Sequence, residues 1–375
     1  MEDPVRLHKK LRGKIDISPK IKKIDKDILS LIYTPGVAEA SEYINKNPEE
    51  SFSLTIRSNT VAIVSDSTRV LGLGKLRPEA GLPVIESKAL LFKLLANVNA
   101  FPIVVKERSL NKLEDIICSL EPTFGGINLE DIESPKVFYL YDYLRDCLNI
   151  PIFHDDRHGT GIVIYAGLLN ALRLVNKDLS ESKIVVIGSG AAALGFFDLI
   201  KHEDVGDIIF LDSKGILHKN REDLNIFKRM IAENSNFSNI RGNIKDAIKE
   251  ADVLIGVSGK SGIIKPEYIR KMNKNPIIFA LSNPNPEIKP EYAYKAGAYI
   301  VATGRSDYPN QLNNALVFPY IFRYVLDKRL KKINLSIMRK YAIWLSKLIH
   351  PTKNKILPEP YNPILLERLK DLDHI

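Results

Sequence analysis

Two rhythms of apolar residues run along this chain, and the change between them divides it. From residue 182 onward, short unbroken apolar runs dominate: SKIVVIG (182–188), DIIFLDS (207–213), ADVLIGVSG (251–259), PIIFALSNP (276–284) and AYIVATG (298–304). Runs rich in Ile and Val with no polar alternation predict strands buried on both faces. The gaps between them leave room for helices, so the region reads as a doubly wound parallel sheet. Before residue 150 the pattern is mixed. VAIVS (61–65) and FPIVV (101–105) predict strands, while ESKALLFKLLANVNA (86–100) spaces Ala89, Leu90, Phe92, Leu94 and Leu95 as a helix does. That spacing places Lys88 at or near the start of the helix. A long apolar helix is expected over TGIVIYAGLLNALRLV (160–175). The chain from about 320 reads as a Lys-rich helical tail, where INLSIMRKYAIWLSKLI (333–349) carries an apolar stripe expected to pack back onto a domain.

Composition narrows the class. A chain of 375 residues exceeds one ordinary core, so two domains are expected. No run approaches the roughly 18 apolar residues of a membrane span, so no membrane partner is expected. The start, MEDPVRLHKK, lacks the apolar core and cleavage site of a secretory signal, which points to the cytoplasm. Cys118 and Cys147 form no CxxC pair and no disulfide framework, in keeping with a reducing interior. The net charge of +9 raises nucleic-acid binding. However, the densest basic cluster, LDKRLKKI (326–333), has no interleaved aromatics and no zinc-finger spacing. The excess therefore reads as a solvated surface that attracts small anions and nucleotides, with no nucleic-acid partner.

One motif specifies a ligand. In IVVIGSGAAALGFFDLI, Gly188, Gly190, Ala191, Ala192 and Ala193 form a GxGxxG/A fingerprint that follows a buried strand and opens a helix. Asp212 ends the next strand 22 residues beyond Gly190, where a ribose-binding carboxylate is expected. Gly188 would allow the tight turn and Gly190 the close approach of a pyrophosphate to the helix N-terminus. Asp212 favours NAD, because its charge opposes a 2′-phosphate. Lys214 and Lys219 could offset it, so NAD and NADP both stay open.

A second feature is harder to place in an apolar setting. In PIFHDDRHGTGIVIY, Asp155 and Asp156 sit inside an otherwise buried stretch, and FGGINLEDI supplies another acidic pair, Glu130 and Asp131. Buried carboxylates require a partner. Four drawn together suit a hard divalent cation such as Mg²⁺ or Mn²⁺. Zinc competes through His154 and His158, but no Cys joins them and HExxH is absent. NLEDI also reads as a helix N-terminus capped by Asn128.

Taken in order, YTPGVAEA (33–40), RVLGLG with AGLPVIESKALLFK (69–93), FGGINLEDI (124–132), IFHDDRHGTGIV (152–163), GVSGKSGII (256–264), FALSNPNPEI (279–288) and VATGRSDYPNQLNNALVFPYIFR (301–323) resemble the malic enzymes, in their short bacterial and archaeal form. The likeness covers most of the chain from about 30 to 325. It implies an N-terminal α/β catalytic domain (1–155), a Rossmann-like NAD(P)-binding domain (156–325) and a C-terminal helical extension (326–375). It also implies oxidative decarboxylation of L-malate to pyruvate and CO₂, with NAD or NADP, Mg²⁺ or Mn²⁺, and a homodimer. By resemblance Lys88 is the base for the C2 hydroxyl and Tyr33 the acid that protonates C3 of enolpyruvate. Glu130, Asp131 and Asp156 are the metal ligands, with Asp155 behind them orienting ligands or tuning Lys88. Arg69 holds a malate carboxylate, and Asn283, Asn313 and Asn314 hold carboxylates or the nicotinamide ribose.

Four stretches depart from the family pattern. Lys75, Leu76, Arg77 and Pro78 follow LGLG where an acid or amide and then Gly-Pro are usual. Ser87 replaces a glycine, Arg157 a glutamine, and VSDST (64–68) an Asp-Gly turn. Arg157 is expected either to pair with Asp155 or to repel a cationic neighbour, while Lys75 and Arg77 could alter substrate choice. The alternatives are a related metal-dependent oxidoreductase for another 2-hydroxy acid, a metal-independent amino-acid dehydrogenase, and an inactive nucleotide-binding regulator.

Overall fold

The computed structural model describes residues 3–71 and 73–375. The chain opens with an arm: α1 (Pro4–Leu11), α2 (Lys26–Ile32), α3 (Val37–Lys46) and the short α4 (Ser51–Leu54). Asp3 and Asp25 cap the first two helices by accepting from Val5 N and Ile28 N. No residue between 3 and 59 is buried. Exposed along it are Ile17, Leu31 and Tyr33, at 79%, 73% and 66% of their surface.

The first sheet holds β1 (Thr60–Ser65), β2 (Asn99–Val104), β3 (Gly126–Leu129) and β4 (Ile152–His154), all parallel in the order β2-β1-β3-β4. Between its strands run α5 (Pro78–Ala96), α6 (Leu110–Ser119) and α7 (Lys136–Cys147). Asn128 lies in β3 and caps no helix. Lys88 lies well inside α5, not at its start. The helix begins ten residues earlier because Pro78 occupies its first turn, where a missing N–H costs nothing. Pro83 is carried within the helix, and Lys14 from the arm donates to its carbonyl and to Ser87 Oγ, both at 2.7 Å.

A π-helical turn, Asp155–Gly159, leads directly into α8 (Thr160–Val175) and the second half. Together they make a 21-residue helix long and apolar enough to cross a membrane by length and composition, contrary to the expectation of no such run. It is a core helix, mostly buried and packed against α9 (Ala191–Ile200). That packing is close. A Cβ on Gly195 would lie 1.7 Å from the Arg157 carbonyl oxygen, and one on Gly161 2.4 Å from the Gly195 backbone.

The second sheet comprises β5 (Lys183–Ile187), β6 (Asp207–Asp212), β7 (Gly215–Ile216), β8 (Val253–Gly256), β9 (Ile277–Ala280) and β10 (Ile300–Thr303). Its order is β10-β9-β8-β5-β6-β7, parallel except for β7. Ile184 and Val186 face one apolar cluster and Val185 and Ile187 another, which is why the strands lack polar alternation. Strand order reverses between β5 and β8, and ligands of such sheets bind at the carboxyl ends beside that point.

The remainder closes back on both halves. Helix Phe318–Asp327 packs on α5, with Phe318 and Phe322 4.8 and 5.5 Å from the Phe92 ring. Helix Leu335–Lys347 packs on α8 and α9, where Tyr341 donates to Leu316 O and Trp344 Nε1 to Arg368 O.

Candidate active site

Parallel register builds the acidic cluster. Leu129 pairs with His154, so β3 and β4 end side by side. Glu130-Asp131 and Asp155-Asp156 therefore leave adjacent strand ends. Glu130, Asp131 and Asp156 offer carboxylate oxygens within 4.8 Å of one another. Asp131 N donates to Asp156 Oδ2 at 3.1 Å, and Asn128 Nδ2 to Glu130 Oε2 at 3.1 Å. Asp131 Oδ2 and Asp155 Oδ1 are buried with no hydrogen-bond partner.

Lys88, 8% exposed, reaches this cluster from α5. Its ammonium lies 2.6 Å from Glu130 Oε1, donates to Asp155 Oδ2, and sits 4.4 Å from the Phe318 ring centre. Burial alone would lower its pKa, but Asp155, Glu130 and Asp156 outweigh burial and hold it above the ordinary lysine value. Burial, reinforced by Asp156, pushes the Asp131 carboxyl up to about 7. Four acids, Glu130, Asp131 and Asp155 buried and Asp156 half-buried, thus share one ammonium.

Several expectations change here. Arg157 does not pair with Asp155: its Nε and Nη2 donate to Asp198 Oδ2 at 3.0 and 2.7 Å. Its guanidinium lies 5.6 Å from both the Phe138 and Tyr141 rings. The pair ties the π turn carrying Asp155 and Asp156 to α9. Asn314 is already engaged, donating to Asp155 Oδ2 at 3.0 Å and accepting from Thr160 Oγ1 at 3.1 Å. Asn313 accepts from Ala315 N through its side-chain oxygen. His154 and His158 are buried on β4 and the π turn, and burial lowers both pKa values, so they stand neutral behind the cluster.

Around the cluster, Arg69 N donates to Asp131 O, and a Cβ on Gly259 would lie 3.8 Å from Arg69 Nη2. Arg69 therefore reaches from the first half toward the loop after β8. Asn283 is exposed in the loop after β9. Tyr33 makes no ion pair, hydrogen bond or ring contact with Lys88 among the described residues; it stands on the exposed arm. Lys75 and Arg77 are exposed, and Arg77 immediately precedes α5 as its N-cap residue. Ser67, in the VSDST departure, adopts φ +56°, the left-handed region a glycine occupies more readily.

The dinucleotide motif lies at the switch point. Gly188 has φ +123°, and a Cβ there would meet the Val257 carbonyl oxygen at 2.6 Å. At Gly190 a Cβ would meet nothing within 4 Å, so open space fronts the start of α9. Gly190 contributes no side-chain cap, leaving the first N–H groups of Ala191, Ala192 and Ala193 for an anion.

Asp212 is not free. Arg221 donates to both its oxygens at 2.8 and 3.1 Å, and Lys228 donates at 2.8 Å. Although burial opposes it, these cations lower the Asp212 pKa to about 2. Lys214 pairs instead with Asp223, 2.8 Å away.

Sequence reasoning missed Asp198, Arg221, Lys228 and Glu287. Glu287 is wholly buried and accepts from Ser258 N, Ser258 Oγ and Ser282 N at 2.9, 3.1 and 3.0 Å, and from Ser282 Oγ. It fastens together the loops after β8 and β9. Its one signal was an acid lodged between NPNP and an isoleucine.

Comparison with known proteins defines the class. Residues 12–145 match the malic enzyme N-terminal domain and residues 158–362 the malic enzyme NAD-binding domain. The chain belongs to the malic enzyme family. It is 47% identical to a bifunctional malic/malolactic enzyme of Bacillus subtilis, over 89% of this chain and 81% of that one. It is 44% identical to an NAD-dependent malic enzyme of Geobacillus stearothermophilus, over 96% and 75%. Other relatives are named NADP-dependent malic enzymes. The crystal structure of an NAD-dependent malic enzyme from Thermotoga maritima superposes with a TM-score of 0.96 at 43% identity, covering 99% of each chain.

Proposed function

We propose that this chain oxidises L-malate and decarboxylates it to pyruvate and CO₂, using NAD(P) and a divalent cation held by Glu130, Asp131 and Asp156. The observation that carries this is the buried cluster itself: three convergent carboxylates, an unpartnered Asp131 Oδ2, and Lys88 beside them. These residues fit a hard cation, since all donors are oxygens and a bound cation would stabilise carboxylates that burial otherwise pushes toward the neutral acid. Mg²⁺ or Mn²⁺ bound there supplies Lewis acidity at the substrate oxygens. NAD(P) supplies the hydride acceptor.

The chain's own groups do the rest. Lys88 takes the C2 hydroxyl proton. Two of the carboxylates that hold its ammonium, Glu130 and Asp156, are ones a cation would share, and sharing loosens that hold as an amine base requires. Asp155, bonded to Lys88 and Asn314, orients the amine. Arg69 clamps a malate carboxylate, and Asn283 and Asn313 face the substrate and nicotinamide ribose. Asn314 acts through Asp155. Tyr33 returns a proton to C3 of enolpyruvate.

Tyr33 reaches a site through assembly. An arm with no buried residue, whose Ile17, Leu31 and Tyr33 are more than half exposed in one chain, needs a covering surface. A homodimer, with the arm seated on a second copy, provides it. For the cofactor, Arg221 and Lys228 neutralise Asp212, so we assign use of both NAD and NADP. We keep the domain boundary at 155/156, with 326–375 as the extension.

The test measures cofactor reduction with L-malate and Mn²⁺, with and without EDTA, in wild type and Asp156→Asn. Reduction that EDTA abolishes and that the variant lacks supports the reading. EDTA-insensitive reduction, or an active Asp156→Asn enzyme, overturns it.

A further inference from the structure

Cys118 and Cys147 stand 29 residues apart in sequence, yet their sulfurs lie 2.7 Å apart. Cys118 is in the last turn of α6 and Cys147 is the final residue of α7, and the two helices pack side by side. That separation is within about 0.7 Å of a covalent S–S bond. Both sulfurs are thiols, Cys147 exposed and Cys118 half-buried. Neither residue belongs to the cluster around Lys88.

We propose that Cys118 and Cys147 are an oxidisable dithiol that closes to an intramolecular disulfide by exchange with a low-molecular-weight disulfide, locking the C-terminal ends of α6 and α7 together. The exchange is balanced. The Cys147 thiolate attacks one sulfur of RSSR, forming Cys147–S–SR and expelling RS⁻. The Cys118 thiolate then attacks Cys147 Sγ, forming the protein disulfide and expelling the second RS⁻. Two protein thiols are oxidised, RSSR is reduced to two thiols, and the two protons pass to RS⁻ or solvent.

The surroundings set the order of attack. Cys147 is open to solvent and meets the reagent first. Burial, the hydrogen bond to Cys147 and the charge of Cys147 push the Cys118 thiol up to about 12. Once Cys147 is capped, its charge and hydrogen bond are gone and Cys118 ionises more readily. Glu121 and Asp115 remain as the facing carboxylates. The closed loop spans Glu130, Asp131 and Lys136, whose ammonium pairs with Asp66 at the end of β1. The disulfide would thus brace the segment carrying two of the acids by restricting its unfolded state.

The test incubates the full-length reduced protein with oxidised glutathione, then measures intact mass, peptide cross-links and Tm. The expected result is loss of two hydrogens with no glutathione retained and a Cys118–Cys147 cross-link. Tm should rise by roughly 3–5 °C, reversed by dithiothreitol. Cys118→Ser should stop with one glutathione on Cys147. Wild type that retains glutathione, forms disulfide-linked dimers, or closes the bond without a Tm rise would overturn the proposal.

Discussion

Asp198→Asn leaves the Arg157 guanidinium buried against Phe138 and Tyr141 with no carboxylate opposite. Arg157 is 7% exposed, and its Nη1 has no partner even in the intact pair, so water cannot easily replace what is lost. Breaking one side of a buried ion pair costs about 3–5 kcal/mol. The amide oxygen remaining at 198 and the two aromatic faces recover part of this, leaving roughly 3 kcal/mol. Arg157→Gln should cost less, because Asp198 keeps Lys201 Nζ 3.6 Å from its other oxygen. In the double variant two amides face each other and no charge is stranded, so the cost should fall to about 1 kcal/mol. The assay is urea unfolding followed by Trp344, the single tryptophan, which is buried in the tail that packs on α8 and α9. Mn²⁺ affinity, measured alongside, should drop with stability, since the pair holds the turn carrying Asp156. Single variants as stable as wild type, or a double variant no better than Asp198→Asn, would refute the reasoning.

Other variants probe the remaining elements. Gly188→Ala must strain a φ of +123° and move the Val257 carbonyl. NAD and NADP affinity measured calorimetrically should each fall at least tenfold, whereas Gly190→Ala, facing open space, should fold normally and lose affinity alone. The Asp212 pKa lies below its unfolded value of about 3.9. Its contribution to stability is therefore complete above about pH 4 and lost as pH falls through about 2. Acid unfolding curves of wild type and Asp212→Asn should accordingly converge at the acid end and separate above pH 4. Deleting residues 1–47 should leave a folded monomer by light scattering, with malate turnover reduced at least a hundredfold for want of Tyr33.

The sheets were legible because their strands, the short β7 aside, run parallel and most are buried on two faces, which imposes unbroken apolar runs such as KIVVI and PIIFA. The dinucleotide turn was legible for the same local reason: strand, glycines and helix are contiguous in sequence. Lys88 was misplaced within its helix because the apolar spacing begins at Ala89, while Pro78 and Pro83, which usually interrupt helices, conceal the first two turns. The partners of charged residues were not legible at all. Asp198 lies 41 residues from Arg157 and Arg221 lies 9 from Asp212, and only the packing of α9 on the π turn and the loop after β7 brings each pair together. The same holds for Cys118 and Cys147, which look unrelated until α6 and α7 lie side by side.

The central claim, oxidation and decarboxylation of malate at the Lys88 cluster, is tested most directly with L-[4-¹³C]malate, NAD or NADP, and Mn²⁺. Each mole of NAD(P)H should appear with one mole of pyruvate and one of CO₂, all of the CO₂ carrying the label from C4, and Lys88→Ala should abolish all three. Lactate, or labelled oxaloacetate, accumulating in place of pyruvate, or NAD(P)H formed without CO₂, would contradict it.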